Sequence, residues 1–375
     1  MADFEGFIGH FSILPDPRTD RTKKHNLIDI LFIAVCTMIC GGEGFTDMED
    51  FATAKKDWLR KYLELPGGIP SHDTFRRVFS ILDPDAFVAC FARWSETLHK
   101  ATKGEVIALD GKTIRHSFDT VSGQPALHII SAWASENGIS LGHLRVDDKS
   151  NEITALPKLL EMLSIEGRTV TMDAMGCQTD LAERIVDKGG DYVMCVKANQ
   201  ESLHEDVKYF FDECGDFRDT EHSYYESVEK DHGRIEVRKC WAVEGEAKWL
   251  GFGEEWKRLR SIAAIRGERI IGGNKSIETR YYISSLPGDA KKIALAVREH
   301  WAIENSLHWV LDVTMNEDMS RIRKDNAPEN LATLRRIAIN MVKKQKIEMK
   351  GRPSVRRAMK LACYRNSNLE QILVS

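Results

Sequence analysis

A chain of 375 residues, 42% apolar and 29% charged, has the make-up of a folded globular protein, which excludes a disordered chain, a collagen-like repeat and a small disulfide scaffold. Its length corresponds to roughly two to three domains at ~150 residues each. The formal net charge of −4 is unevenly placed: Arg321 to the end holds 14 Lys/Arg against 4 Asp/Glu, whereas Glu201 to Arg260 holds 16 acids against 10 bases. A basic end behind an acidic middle suits a protein that turns one face to a polyanion.

Residues 1–100 read as a helical module. Its start, MADFEGFIGHF, has neither the basic stretch nor the long apolar core of a secretory signal. Leu27–Cys40 is the most apolar run, but it carries Asp29 and is too short for a bilayer, so it reads as a buried helix stopped by Gly41-Gly42. Asp47–Lys61 is expected as a further helix, Ser71-His72-Asp73 caps another, and Pro84-Asp85 opens one through Trp94. A polar joint follows near Lys100–Gly104. The eight cysteines form no C-x-x-C and sit mostly in apolar runs, as expected of reduced thiols in a cytoplasmic protein without a membrane span.

The pattern then changes. Val106–Leu109, Leu127–Ala134, Ile139–Val146, Thr169–Met172 and Tyr192–Val196 read as strands, with helices at Ile153–Leu163 and Thr179–Lys188. Three strands at hairpin spacing followed by βαβ units imply a mixed α/β sheet with flanking helices. A β-rich insertion at about 199–287 opens with a helix, Glu201–Phe211. Its strands are expected at Ser223–Val228, Ile235–Val243, Arg260–Ile265 and Glu278–Ser284, with turns at Asp231-His232-Gly233 and Gly272-Gly273-Asn274. One long helix is expected from Lys292 to about Val313, and another from Asn326-Ala327-Pro328-Glu329 toward Lys346. This divides the chain into 1–100, an α/β domain over 101–350, and a basic tail over 351–375.

Asp110 ends the first strand of the sheet and Asp173 the fourth. Either alone reads more readily as a turn residue, Asp-Gly especially. Together they stand out, because strands one and four are neighbours in the ribonuclease-H-like fold, which has this strand order, and ligands gather at strand carboxyl ends. A third carboxylate, Glu304, lies on the stripe of His300 and His308 in REHWAIENSLHW. Three hard oxygen donors suit two divalent ions and in-line displacement at a phosphodiester.

The same stretches resemble a DDE-class transposase of a bacterial insertion sequence, of the H-repeat-associated kind. They are Asp16-Pro17-Arg18, His25-Asn26-Leu27, Gly68-Ile69-Pro70-Ser71-His72-Asp73-Thr74-Phe75, Leu109-Asp110-Gly111-Lys112 and Thr171-Met172-Asp173-Ala174. Val196-Lys197-Ala198-Asn199-Gln200, the segment His232 to Arg238, and His300-Trp301-Ala302-Ile303-Glu304-Asn305 with Leu307 to Val313 complete them. The resemblance implies a ribonuclease-H-like catalytic domain with Asp110, Asp173 and Glu304 as catalytic metal ligands, an insertion between the second and third acids, and an N-terminal transposase-associated helical domain. It implies Mg²⁺ with Mn²⁺ as a substitute, double-stranded DNA at the element ends and target, a homodimer on DNA, and a place at the bacterial nucleoid. In related transposases the helix bearing the Glu carries a Tyr, an Arg and a Lys; here those positions are Val297, His300 and Leu311, a departure from the pattern.

Phosphate contacts are expected from Lys112, Lys197, Arg234, Arg321, Arg323, Arg335 and Arg336, with His300 and His308 standing in on the Glu304 helix. Three rivals remain at this stage: a zinc hydrolase on His300, Glu304 and His308, a ribonuclease-H-like nuclease that cuts without joining, and an inactive DNA-binding descendant. Asp312, Glu317 and Asp318 stand next in line should Glu304 not be the third ligand. No G-x-x-x-x-G-K-[ST] supports an ATP-driven mechanism.

Overall fold

The computed structural model describes residues 2–99, 102–118, 123, 125–146, 152–212, 221–231, 233–245, 255–348 and 353–374. His232 and residues 100 and 101 of the expected joint lie outside these. Among the described residues, nine strands form one sheet in the order β3-β2-β1-β4-β5-β9-β8-β7-β6. The strands are β1 (Val106–Thr113), β2 (His128–Ala134), β3 (Ile139–Val146), β4 (Thr169–Met172), β5 (Asp191–Val196), β6 (His222–Asp231), β7 (Arg234–Glu244), β8 (Ser261–Ile271) and β9 (Asn274–Ser284). β1, β2 and β3 pair antiparallel, β4 and β5 join in parallel, and β9 closes on β5 antiparallel. The first five strands therefore have the ribonuclease-H-like order expected from sequence. The β-rich insertion is not a separate sheet: through β9 it continues the main one.

Residues of even and odd number in β1 face opposite sides of the sheet. Ile107 and Leu109 join a core with α7 (Glu152–Met162), α8 (Thr179–Asp187) and α9 (Glu201–Asp212). On the other side, Val106, Val193 and Cys195 pack against Ile293, Ala296 and Val297 of α10 (Ala290–His300). Local chemistry starts α10 where it does: the Asp289 carboxylate accepts from the N–H groups of Lys291 and Lys292 at 3.0 and 3.1 Å. The helix expected to run from Lys292 to Val313 is interrupted. α10 stops at His300, Glu304–His308 form a π-helical turn, and α11 (Trp309–Val313) resumes.

The N-terminal helices are α1 (Ala2–Phe11), α2 (Leu27–Ile39), α3 (Phe45–Ala54), α4 (Lys56–Leu59), α5 (His72–Ile81) and α6 (Pro84–Leu98). The helix expected over Asp47–Lys61 is thus two, α3 and α4. They share a core with α12 (Ala327–Glu348), α13 (Val355–Tyr364) and α14 (Asn366–Val374), reaching Ala108 and Trp133 of the sheet. The basic segment expected as a tail is therefore built in: Val355, Met359, Leu369, Ile372 and Leu373 are buried. Glu370 adds specificity, accepting from Trp58 Nε1 at 2.7 Å and Tyr62 Oη at 2.9 Å. Leu369→Ala should accordingly cost about 2–4 kcal/mol of unfolding free energy, measured by urea denaturation. A loss under about 0.5 kcal/mol, the level of a surface change, would contradict the packing of α14.

Candidate active site

Leu109 of β1 lies opposite Met172 of β4 in the parallel register. The next residues are Asp110 and Asp173, so strand pairing alone brings the two carboxylates together where β4 ends. Asp173 also caps the turn that follows, accepting from the Met175 N–H at 3.1 Å. Glu304, exposed at the first position of the π-helical turn, completes the group from the α10 side, with the buried Ile303 beside it.

The three acids line one cleft together with Thr171, Cys195, Lys197, Arg280, Tyr282, His300 and Trp301. Their oxygens are hard, acceptor-only donors. Burial, then the charges of Asp173 and Glu304, push the Asp110 carboxyl up to about 7, against a partial offset from the Gly111 N–H. Burial also raises Asp173, with Glu152 next; Lys197 works the other way. This is an electrostatic field that favours a cation. As they stand, no three His, Cys, Asp or Glu side chains among the described residues lie close enough together to hold a metal ion, the three acids of the cleft included.

Positive groups border the cleft. Lys197 is exposed just past β5. Arg280 of β9 lies with its guanidinium 4.5 Å from the Trp301 ring centre and donates to Glu278 at 2.8 and 3.1 Å. His300 Nδ1 sits 3.2 Å from Thr171 Oγ1, and burial brings its pKa down to about 4. His308 Nδ1 is 3.4 Å from Asp110 Oδ2; burial, Arg336 and Lys112 bring it down to about 3. Both imidazoles are neutral at pH 7. They face different partners, and with Glu304 they form no zinc-holding group among the described residues.

Several expected phosphate contacts lie elsewhere. Arg335 and Arg336 are fully buried on α12, where Arg336 Nη1 donates to Glu317 Oε1 at 3.1 Å and Nη2 to Ser131 Oγ at 3.3 Å. A buried guanidinium needs a counter-charge, and Glu317 supplies it. Lys112 is buried too, its ammonium 2.7 Å from Asp312 and 3.3 Å from both Glu317 and Asp318. His308 is buried beneath the cleft. These four do not present themselves to a DNA backbone. Arg321 is exposed, and so is Arg234, which meets Glu236 at 2.9 Å. Arg323 donates to the His116 carbonyl at 3.2 Å and covers the Phe118 ring at 5.0 Å.

Two participants escaped sequence reasoning. Arg280 lies deep in an insertion strand whose alternation reads as ordinary surface. Glu152, at the start of α7, holds its Oε1 2.7 Å from His128 Nε2 and close against Gly111. A Cβ on Gly111 would stand 2.3 Å from that oxygen, so the glycine admits a fourth carboxylate beside the aspartates.

Comparisons with known proteins follow the geometry. Residues 8–95 match the family described as "DDE_Tnp_1-associated", and residues 101–341 match "Transposase DDE domain". The chain is 41% identical to "H repeat-associated putative transposase YhhI" of Escherichia coli K12, over 97% of this chain and 96% of that one. It is 41% identical to "Putative transposase YncI" of Escherichia coli O157:H7, over 99% and 95%. Against a solved piggyBac transposase synaptic complex with hairpin DNA it shows 12% identity and a TM-score of 0.44, covering 100% of this chain and 81% of that one. Among the described residues no helix is long and apolar enough to cross a membrane.

The crowding of Asp110 has a consequence for stability. A carboxyl raised from 3.8 to about 7 favours folding only while it keeps its proton, and that contribution is lost as pH climbs through this window. Without divalent cations, Asp110→Asn should raise the unfolding free energy at pH 8 by roughly 1–3 kcal/mol, the gain fading toward pH 4. Equal stability of the two proteins at pH 8 would contradict the burial and repulsion of the Asp110 charge.

Proposed function

The chain belongs to the family of DDE-domain transposases, and we propose that it cuts a phosphodiester at each end of a bacterial insertion sequence and joins the freed 3′-hydroxyl to target DNA. What carries this reading is the meeting of Asp110, Asp173 and Glu304 in one cleft whose charges raise the Asp110 carboxyl. Transposases of this family use a divalent metal ion. Asp110, Asp173 and Glu304 are the residues that would hold it, with Mg²⁺ as the ion and Mn²⁺ as a substitute. Bound there, the metal supplies positive charge at the phosphate and lowers the pKa of the attacking water or hydroxyl.

The chain's own residues do the rest. Lys197 and Arg280 place positive charge at the mouth of the cleft, where the phosphate flanking the cut enters. The Arg280 guanidinium lies 4.5 Å from the Trp301 ring centre, and this partial desolvation strengthens its hold on an anion. Neutral His300 keeps Thr171 engaged and adds no charge that would compete with a cation. The described surface cations Arg234, Arg321 and Arg323 add backbone contacts to duplex DNA. An element has two ends, so two copies act together as a homodimer on DNA, in the cytoplasm and at the nucleoid. Retention of all three acids favours an active enzyme over an inactive descendant.

Cleavage and joining are read on one substrate, labelled duplex carrying the element ends with Mg²⁺ present. Asp110→Asn, Asp173→Asn and Glu304→Gln should each lower cleavage by roughly hundredfold or more while end-DNA affinity holds. Glu304→Gln with full activity would remove Glu304 from the ligand set. Nicked ends with no joined product would make the protein a nuclease rather than a transposase.

A further inference from the structure

Lys112 stands two residues past Asp110 on the same side of β1, yet it faces protein and not solvent. The acids it meets all belong to the stretch that follows Glu304. Asp312 lies in α11, and Glu317 and Asp318 lie in the 3₁₀ turn Glu317–Met319. Asn316 makes the return possible: at φ 56° it is left-handed, and its amide is held by Glu43 at 3.1 Å. Asp318 is fastened again to the 3₁₀ turn Arg115–Ser117 just past β1, accepting from the Arg115 N–H at 3.2 Å, and its carbonyl oxygen meets His116 Nδ1 at 2.6 Å. Arg336 carries Glu317 across to Ser131 of β2.

The acids of this cluster are matched by cations. Lys112 meets all three acids, Arg336 pairs with Glu317, and Arg115 Nε lies 3.4 Å from Asp318 Oδ2, so each acid faces at least one cation. Buried ion pairs of this kind contribute little net stability compared with apolar packing, but they do select one arrangement. The stretch they hold needs such selection. Glu304 begins a π-helical turn, a geometry that occurs in short pieces and is set by its surroundings.

We propose that Lys112 is a positioning residue: by tying Asp312, Glu317 and Asp318 to β1 it sets the separation between Asp110 on the strand and Glu304 on the helix. This rests on the reading of those two acids as metal ligands, and it replaces the reading of Lys112 as a phosphate contact. Removing the tie loosens the π-helical turn and α11, and the pair of acids then fits a divalent cation less well.

Lys112→Met alone leaves three acids facing one another and is a poor test, because it is free to misfold. Lys112→Met with Asp312→Asn removes one charge of each sign at nearly constant volume, and Lys112→Arg keeps the charge. Three readouts apply to the full-length protein: amide hydrogen exchange over 304–313, Mn²⁺ binding by calorimetry, and cleavage with end-DNA affinity. In the double variant exchange over 304–313 should quicken, with melting temperature and DNA affinity held. Mn²⁺ affinity and cleavage should fall roughly tenfold to hundredfold, and Lys112→Arg should stay near wild type. Unchanged exchange and Mn²⁺ affinity would overturn the proposal. So would a loss of DNA affinity with Mn²⁺ binding intact, which would return Lys112 to phosphate contact. If Asp110→Asn and Glu304→Gln leave Mn²⁺ binding unchanged, the site assignment fails instead, while the exchange measurement still decides the tie.

Discussion

The parallel register that sets Leu109 against Met172 delivers Asp110 and Asp173 to adjacent positions at the end of β4, where neither can move away from the other. Burial makes this costly, because carboxylates taken out of water repel more strongly and lose hydration. The Asp110 carboxyl records the cost by holding its proton up to about pH 7. A cation of high charge relieves it, and much of the surrounding structure keeps other compensation away. The nearby imidazoles of His300 and His308 are too buried to charge. The lysine closest in sequence, Lys112, is drawn off by Asp312, Glu317 and Asp318. Lys197 and Arg280 line the cleft itself, Arg280 with its guanidinium on Glu278.

The scaffold holds this strained corner from two directions. α7, α8 and α9 cover one face of the sheet, so β1 and β4 cannot shift register without exposing Ile107, Leu109, Val170 and Met172. On the other face, the N-terminal helices and α12 to α14 form one apolar core with Ile303, Leu307 and Leu311 of the Glu304 stretch. The helical module is therefore structurally continuous with the α/β half: the same apolar core that buries α2 and α6 packs against the turn that carries Glu304.

How far the sequence anticipated this depended on the range of the signal. Short strands with clear alternation or apolar runs were legible almost to the residue: Ile139–Val146 and Thr169–Met172 occur as read. The two aspartates were legible because each ends such a strand. What sequence left out was partnership across long separations. Arg335 and Arg336 have the spacing of an exposed basic face, and only the buried Glu317 on a different element explains why they point inward. Glu152 reads as a routine helix-start acid until Gly111 and His128 are seen beside it. The break after His300 has no proline or glycine to announce it; the π-helical turn lies between the buried Ile303 and Leu307 on one side and Asp312, which meets Lys112, on the other.

The central claim is that Asp110, Asp173 and Glu304 jointly hold the divalent cation. Anomalous diffraction at the manganese edge, from crystals of the protein with end DNA and Mn²⁺, tests it directly. The account predicts anomalous peaks within bonding distance of carboxylate oxygens from all three residues, between them and the DNA phosphate. Peaks that touch Asp312, Glu317 or the His128–Glu152 pair, with Asp110 and Asp173 left bare, would contradict it.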